Sequence, residues 1–343
     1  MRFIEHQSLD AAYFFAIEDY IVHNKALEDP VIMLWQTKPT IMLGQYQIAE
    51  AEVDMPRALD AGVELVRRPS GGGTIFTDEG TVLLSLLLPQ RLIPSGFDKF
   101  PQKRARAEFV DILCSALNQM GVPAKPEGRN DIVVDGRKIS GMAQHVHQGR
   151  SCTHGSLLFD ADIELLSTLL RVDEEKFRTK AVKSVQGRVV NIKEFAAAAG
   201  NEELSTLDTA SFVAQLKEVL YQATDAKEYQ LTEDDIAQVD AIYAEKYGNP
   251  EWARRHTPHF TIHATKRFPA GKLDVFVDVF KGAVKACSIH GDFMGSAPMG
   301  DLELQFVGLN FGRDEFREVL DAMNLSPYLG ELKASEFLSC IFE

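Results

Sequence analysis

Hydrophobic positions along the chain change period several times, and each change marks an element. Between Ala12 and Ile21 apolar residues recur at loose helical spacing, which predicts a helix to about His23 capped by Ser8. Val31–Trp35 and Thr40–Gly44 read as strands on either side of a Lys38-Pro39 turn. Residues 81–88 are almost continuously apolar, the pattern of a strand buried on both faces. From Lys103 to Met120, apolar residues fall at three- and four-residue steps (Ala105, Phe109, Ile112, Leu113, Leu117, Met120), and Gly121 ends that helix. Asp135-Gly136 separates two short strands and predicts a tight hairpin, because both positions accept positive φ. Ser156–Asp160 follows as a strand, and helices are expected near 161–170, 209–224 and 233–247.

The helical period stops at Tyr247-Gly248-Asn249-Pro250, where proline forbids its continuation. Beyond it, Leu273, Phe276, Val277 and Val279 sit among charged neighbours at near period two, and Lys281-Gly282 turns the chain into a second strand. Helices at about 313–323 and 334–342 complete the pattern. The expected fold class is α+β (mixed α/β). A large unit of mixed β-sheets flanked by helices spans 1–247, a linker 248–257, and a small α+β accessory unit 258–343.

Composition narrows the class of protein. Of 343 residues, 45% are hydrophobic and 25% charged, ordinary values for a folded chain. Thirty-six Lys+Arg against 50 Asp+Glu give a net charge of −14, which argues against nucleic acid or a membrane surface as partner. It leaves room for a local basic pocket. Cys114, Cys152, Cys287 and Cys340 form no CxxC pair, so a reducing cytoplasm fits better than a disulfide framework. The N-terminus lacks the apolar core of a signal peptide, and Val82–Leu88 is too short to span a bilayer.

The strongest local signal is Arg67-Arg68-Pro69-Ser70-Gly71-Gly72-Gly73-Thr74-Ile75-Phe76. Three consecutive glycines between two strands lose backbone entropy with no packing return. Bare N–H groups can converge on phosphate oxygens there, with the two arginines adding charge. Neither a Walker loop nor a dinucleotide fingerprint is spelled. The alternative is a flexible hairpin tip with two solvated arginines.

A second signal is Gly128-Arg129-Asn130-Asp131, followed by Arg137-Lys138 across the Asp135-Gly136 turn. A lysine just after a tight turn is rigidly aimed and can hold a carboxylate and a phosphate together. Asp131 can hold Mg²⁺, which prefers one or two carboxylates plus phosphate oxygens. A charged surface hairpin is the alternative. His145, His147 and His154 lack a recognisable further zinc ligand. Cys152 beside His154 resembles a Cys–His nucleophile in spelling alone, and a buried thiol is the better reading.

Taken together these segments resemble the lipoate–protein ligase A family. The resemblance runs through Arg67–Phe76 with Asp78 and Gly80, Gly128–Gln144, His154–Asp162, Lys183–Ile192 and the accessory stretch Phe268–Phe293. It implies a biotin/lipoate ligase-like fold and a two-step reaction. Lipoate attacks the α-phosphate of ATP to give lipoyl-adenylate, and a lysine of an apo lipoyl domain then takes the acyl group. The acceptors implied are the E2 subunit of a 2-oxoacid dehydrogenase and the glycine cleavage H protein, served by a cytoplasmic monomer.

The same resemblance implies roles for individual residues. Lys138 is the catalytic lysine bridging carboxyl oxygen and α-phosphate. Arg68, Ser70, Gly71, Gly72, Gly73, Thr74, Ile75, Phe76, Asn130 and Asp131 join it around ATP and the adenylate, with Asp131 as the Mg²⁺ ligand. The chain departs from the family pattern at Gln45–Ile48, at Thr77 and Thr81, and at Gln186-Gly187. Two alternatives remain. One is an octanoyl- or lipoyl-transferase working through an acyl-cysteine, although Pro126–Asn130, where such enzymes carry the thiol, has none. The other is a non-catalytic lipoate-binding paralogue.

Overall fold

The apolar strand at 81–88 is the axis of the molecule. In the computed structural model, which describes residues 1–25, 27–89, 92, 101–169, 188–254 and 260–343, all eight of its residues are buried. Val82, Leu84, Leu86 and Leu88 join one apolar cluster with Phe109, Leu113 and Leu117. Leu83 and Leu87 join another with Phe14, Phe15 and Ile17. Side chains alternate between the faces of a strand, so a strand with a helical layer on each side must be apolar throughout.

Around it runs an eight-stranded mixed sheet. Its strands are β1 (Arg2–Phe3), β2 (Val31–Trp35), β6 (Thr81–Leu88), β7 (Lys125–Glu127), β8 (Asp131–Val134), β9 (Arg137–His147), β10 (Arg150–Leu158) and β11 (Lys227–Glu228). They lie in the order β11-β1-β2-β6-β10-β9-β8-β7. One face is covered by α1 (Ala11–His23), the other by α2 (Pro101–Gln119) and α3 (Thr209–Thr224). The cap of α1 is Asp10, whose carboxylate accepts from the Ala12 N–H; Ser8 sits one step back and accepts from the Asp10 N–H. The hairpin between β8 and β9 is as expected, with φ of 50° at Asp135 and 73° at Gly136.

A second sheet places β3 (Thr40–Leu43) between β4 (Glu64–Arg67) and β5 (Ile75–Thr77). The glycine-rich segment is the connection from β4 to β5, so it must cross the end of β3. The crossing is close: a Cβ on Gly44 would lie 2.0 Å from the Gly72 carbonyl oxygen. Only glycine fits there.

The helix expected over 233–247 is α-helical to Ile242 and then widens into a π turn, Tyr243–Tyr247. Pro250 does end that run, yet it also opens a new helix, α5 (Pro250–Arg254, after α4, Glu233–Ile242), as proline can at a first turn. α5 is tied to β4 by Arg67. The guanidinium, 1% exposed, donates to the carbonyls of Trp252 and Ala253 on one side and of Gly44, Gln45 and Gln47 on the other. Trp252 Nε1 donates back to the Arg67 carbonyl at 3.1 Å.

Downstream, β12 (Ile262–Phe268), β13 (Gly271–Phe280) and β14 (Ala283–Gly291) form an antiparallel sheet packed on helices that include Met299–Phe306, Arg313–Ala322 and Ala334–Phe342. Among the described residues of the first 250, Tyr46 alone belongs to this apolar cluster, stacking on Phe293. The Ser184–Gly187 block and residues 255–259 lie outside the described residues. No helix among the described residues is long and apolar enough to cross a membrane.

Arg67→Met should cost at least about 3 kcal/mol, because several buried carbonyls lose their donor at once. Urea unfolding of the two proteins checks this; equal midpoints would contradict it.

Candidate functional site

Arg68 follows Arg67 on the strand and therefore points the opposite way. It too is buried, and its guanidinium is wrapped by the loop that follows. Nη2 donates to the carbonyls of Gly71 and Gly73 at 2.9 and 2.7 Å, Nη1 to Met42 at 3.0 Å, and Nε to Ser70 Oγ at 3.2 Å. Burial lowers its pKa to about 10, which leaves it charged at neutral pH. A buried cation is tolerable only when its donors are met, and here the glycine loop meets them. Gly72, at φ 93°, gives the loop its reversal.

Ser70 begins a buried polar chain. Its Oγ lies 2.6 Å from His154 Nε2, and His154 Nδ1 lies 2.9 Å from Glu18 Oε2. Ser85 Oγ donates to Glu18 at 2.6 Å and accepts from Trp35 Nε1 at 2.9 Å. Burial alone would raise the Glu18 pKa, but His154, then His145 and Ser85, hold it below the usual carboxylate range. Glu18 carries no motif; its one signal is that, with Asp19, it places carboxylates inside an otherwise apolar stretch of α1.

Lys138 opens β9 beside the hairpin turn, its Nζ 2.7 Å from Asp131 Oδ1. Gly141 leaves room for it, since a Cβ there would sit 2.6 Å from that nitrogen. The Lys138 carbonyl accepts from the Val190 N–H at 3.0 Å, so the end of the Lys183–Ile192 motif runs alongside the lysine. Asn130 Nδ2 donates to the Met142 carbonyl at 3.3 Å.

Two cavities meet at the glycine loop. The smaller, about 180 Å³, is a mainly apolar slot lined by Phe15, Trp35, Met42, Leu83 and Met294, with His154, Arg68 and Lys138 as polar neighbours. The larger, about 610 Å³, lies between the loop and the C-terminal sheet and is lined by charged residues that include Arg106 and Arg129. Gly72, Gly73, Asn130, Met142, Ala143 and Met294 border both. An apolar slot with a lysine in its wall, bordering a polar cleft, suits an amphiphilic acid beside a charged co-substrate.

Most of the expected residues converge here. Arg68, Gly72, Gly73, Thr74, Ile75, Asn130 and Lys138 line the slot, and Asp131 reaches it through Lys138. Ser70 is fully buried behind His154, and Gly71 packs against the Phe293 carbonyl. The Phe76 side chain belongs to the separate core of the small sheet. Two cations expected nearby are elsewhere: Arg67 clamps α5, and Arg137 pairs with Glu194. Trp35, Glu18 and Met294 are site residues that no local pattern marked. Gln47, between the departures at Gln45 and Ile48, accepts from the Gly44 N–H and from Thr74 Oγ1, bracing the loop. Thr77, another, shares a hydrogen bond with Thr37.

The three histidines do not share a centre, since His147 lies against His23 with the rings tilted, while His145 and His154 lie inside. All four cysteines are buried, and burial raises every thiol pKa, Cys152 most clearly. None is poised as a nucleophile.

Comparison with known proteins agrees with this arrangement. Residues 10–220 match the lipoyl protein ligase A/B catalytic domain model, and residues 257–341 match the bacterial lipoate protein ligase C-terminus model. A lipoate–protein ligase of Bacillus subtilis is 34% identical over 346 residues, covering 100% of both chains. Among solved structures, a Plasmodium falciparum protein in complex with lipoate superposes with a TM-score of 0.77 at 20% identity, covering 99% of each chain. A lipoate–protein ligase A bound with ATP gives 0.60 at 20% identity, over 74% of this chain and 98% of that one.

His145 makes a pH prediction. Burial pushes its pKa down from 6.5 to about 3, so the folded protein binds fewer protons than the unfolded chain between those values. Stability from this group is full above pH 6.5 and is lost as pH falls toward 3, by up to about 1.4 kcal/mol per pH unit. His145→Leu should flatten the fall in melting temperature across that window; an unchanged slope would contradict it.

Proposed function

The chain belongs to the lipoyl protein ligase A/B family, and from that premise we propose that it activates lipoate with ATP and transfers the lipoyl group to a lysine of an apo lipoyl domain. The observation that carries this reading is Lys138 on the wall of the apolar slot, whose border at Gly72, Gly73 and Asn130 is shared with the polar cleft. Lipoate has an apolar body and one carboxylate, the shape and polarity of the slot and its cationic neighbour. Its ATP partner takes the larger cleft.

In the first step a carboxylate oxygen attacks the α-phosphorus, the bond to the β-phosphate oxygen breaks, and pyrophosphate leaves. Negative charge grows on the phosphoryl oxygens, and Lys138 neutralises it from a fixed position. Asp131 holds the ammonium until the substrate's own charges compete for it. Loop N–H groups from Gly72 onward, presented by Arg68, contact the nucleotide, with Asn130 beside it. In the second step the neutral amine of the acceptor lysine attacks the acyl carbon, and AMP departs with the mixed-anhydride oxygen.

Mg²⁺ suits this site. One Asp131 oxygen is buried and bonded to nothing but the lysine, and a single carboxylate with phosphate oxygens is a donor set this ion favours. Bound there, it would neutralise part of the polyphosphate charge. We assign the chemistry to residues 1–247 and an accessory role to 258–343, joined through 248–257. E2 and glycine cleavage H proteins are the acceptor class, and the free, buried thiols suit a cytoplasmic monomer. The acyl-cysteine alternative finds no support in four buried, protonated thiols.

Lys138→Ala should fold normally and lose lipoate-dependent ATP–pyrophosphate exchange by at least about 100-fold. Near-normal exchange would remove the lysine from the mechanism. Cys152→Ala should keep ATP-dependent lipoylation of an apo lipoyl domain, whereas loss of acylation with an intact fold would revive the thioester route.

A further inference from the structure

A group of side chains behind the apolar slot takes no part in the acyl chemistry at Lys138. Glu18 comes from α1, and Cys152 and His154 from β10. A carboxylate oxygen, the sulfur and a ring nitrogen of these three lie within 4.8 Å of one another. All three residues are buried, Glu18 and Cys152 completely. Two residues apart on one strand, Cys152 and His154 share a face, and α1 packs over that face. His145 stands directly opposite Cys152 on β9 and therefore lies on the same face. Its ring centroid is 6.2 Å from that of His154. It is 5% exposed, and neither of its ring nitrogens has a hydrogen-bond partner. A buried imidazole with two orphaned nitrogens is costly unless something bonds to it.

An ordinary core ion pair accounts for Glu18 and His154. It accounts neither for a thiol held against them nor for His145. The donor set is one carboxylate, one thiolate and two imidazoles, which suits Zn²⁺ rather than a hard cation that prefers oxygen alone. Zn²⁺ with one carboxylate and one thiolate is neutral overall, as a fully buried site requires. Tetrahedral bonds of 2.0 to 2.3 Å place ligand atoms about 3.5 Å apart, inside the span of this group. Outer partners that orient zinc ligands are also in place. Ser70 Oγ lies 2.6 Å from His154 Nε2, and Glu18 Oε1 accepts from Ser85 Oγ, itself held by Trp35 Nε1.

We propose that Glu18, Cys152 and His154 form a zinc site, with His145 closing on the fourth position. As the Zn–S bond forms, the Cys152 thiol gives its proton to solvent. His154 ligates through Nδ1, the nitrogen turned toward Glu18, and its one ring proton then sits on Nε2 and donates to Ser70 Oγ. His154 lines the slot beside Phe15 and Trp35, so the ion enters by the slot and rests behind its wall. Ser70 opens the glycine loop, and the metal therefore ties that loop to α1 and β10. No step of acyl transfer passes through the ion, so the inference goes beyond the ligase reading and does not depend on it.

Cobalt(II) tests the assignment, because a thiolate bound to it gives a charge-transfer absorption in the near ultraviolet. The full-length protein, stripped of metal by a chelator and kept reduced, should bind one Co²⁺ per chain with that absorption, and Zn²⁺ should displace it. Cys152→Ala should lose the absorption and weaken Zn²⁺ by at least about tenfold, read by competition with a chromophoric chelator. Cys152→Ser gives the same reading if melting curves show that Cys152→Ala misfolds. His147→Ala, outside the group, should change neither the absorption nor the affinity. No stoichiometric Co²⁺, Co²⁺ bound without the thiolate absorption, or undiminished Zn²⁺ affinity in a folded Cys152 variant would overturn the proposal. A protein that binds Co²⁺ through Cys152 but forms no lipoyl-adenylate keeps the metal site and loses the ligase reading.

Discussion

The site depends on two consecutive buried guanidiniums whose donors are satisfied by backbone carbonyls. A buried charge without partners would be prohibitive, so the backbone around Arg67 and Arg68 must take the shape that supplies them. Because neighbours on a strand face opposite ways, one arginine shapes each side. Arg67 draws together the Gly44–Gln47 turn and the helix beginning at Pro250. Arg68 draws the carbonyls of Gly71 and Gly73 around itself and so fixes the loop that crosses β3. The glycines follow from this constraint: Gly44 lets the loop pass, Gly71 admits the Phe293 carbonyl, and Gly72 makes the reversal.

Preorganisation of the loop explains how few groups the chemistry requires. In the proposed reaction the slot would position an apolar acid with its carboxylate toward the loop, and Lys138 on the slot wall would need no rearrangement to meet the charge that develops. Its resting partner Asp131 keeps the ammonium in place. Behind the loop, the chain from Ser70 through His154 to Glu18 and Ser85 joins the glycine segment to α1 and to the fully buried β6. The catalytic surface is therefore anchored to the core by hydrogen bonds as well as by packing. The departure at Thr77 is absorbed in the same way, by a hydrogen bond to Thr37, while Gln47 braces the loop through Gly44 and Thr74.

Features written in local periodicity were legible in the sequence. The doubly buried β6, the 101–119 helix and the Asp135-Gly136 turn each depend on residues within one element or one turn. Features that depend on distant partners were not. Nothing in Arg67-Arg68 distinguishes a clamp from a ligand contact, because the acceptors of Arg67 lie 20 to 23 residues upstream at Gly44–Gln47 and far downstream at Trp252 and Ala253. Glu18 gains its meaning only from His154, on the opposite side of the chain. The π turn at Tyr243–Tyr247 and the helix opening at Pro250 arise where α1 and β4 dictate the packing, overriding what glycine and proline suggest locally. Helix Met299–Phe306 was hidden by the glycine- and proline-rich stretch before it.

The central claim is that loop, slot and lysine together make an acyl-adenylate and pass its acyl group to a protein. Intact-mass analysis of an apo lipoyl domain after incubation with this protein tests it most directly, with lipoate and ATP supplied together, each omitted in turn, and octanoyl-carrier protein offered without ATP. The account predicts a mass increase of one lipoyl group only when lipoate and ATP are both present. Acylation from the carrier protein without ATP, or no modification despite measurable lipoate binding, would contradict it.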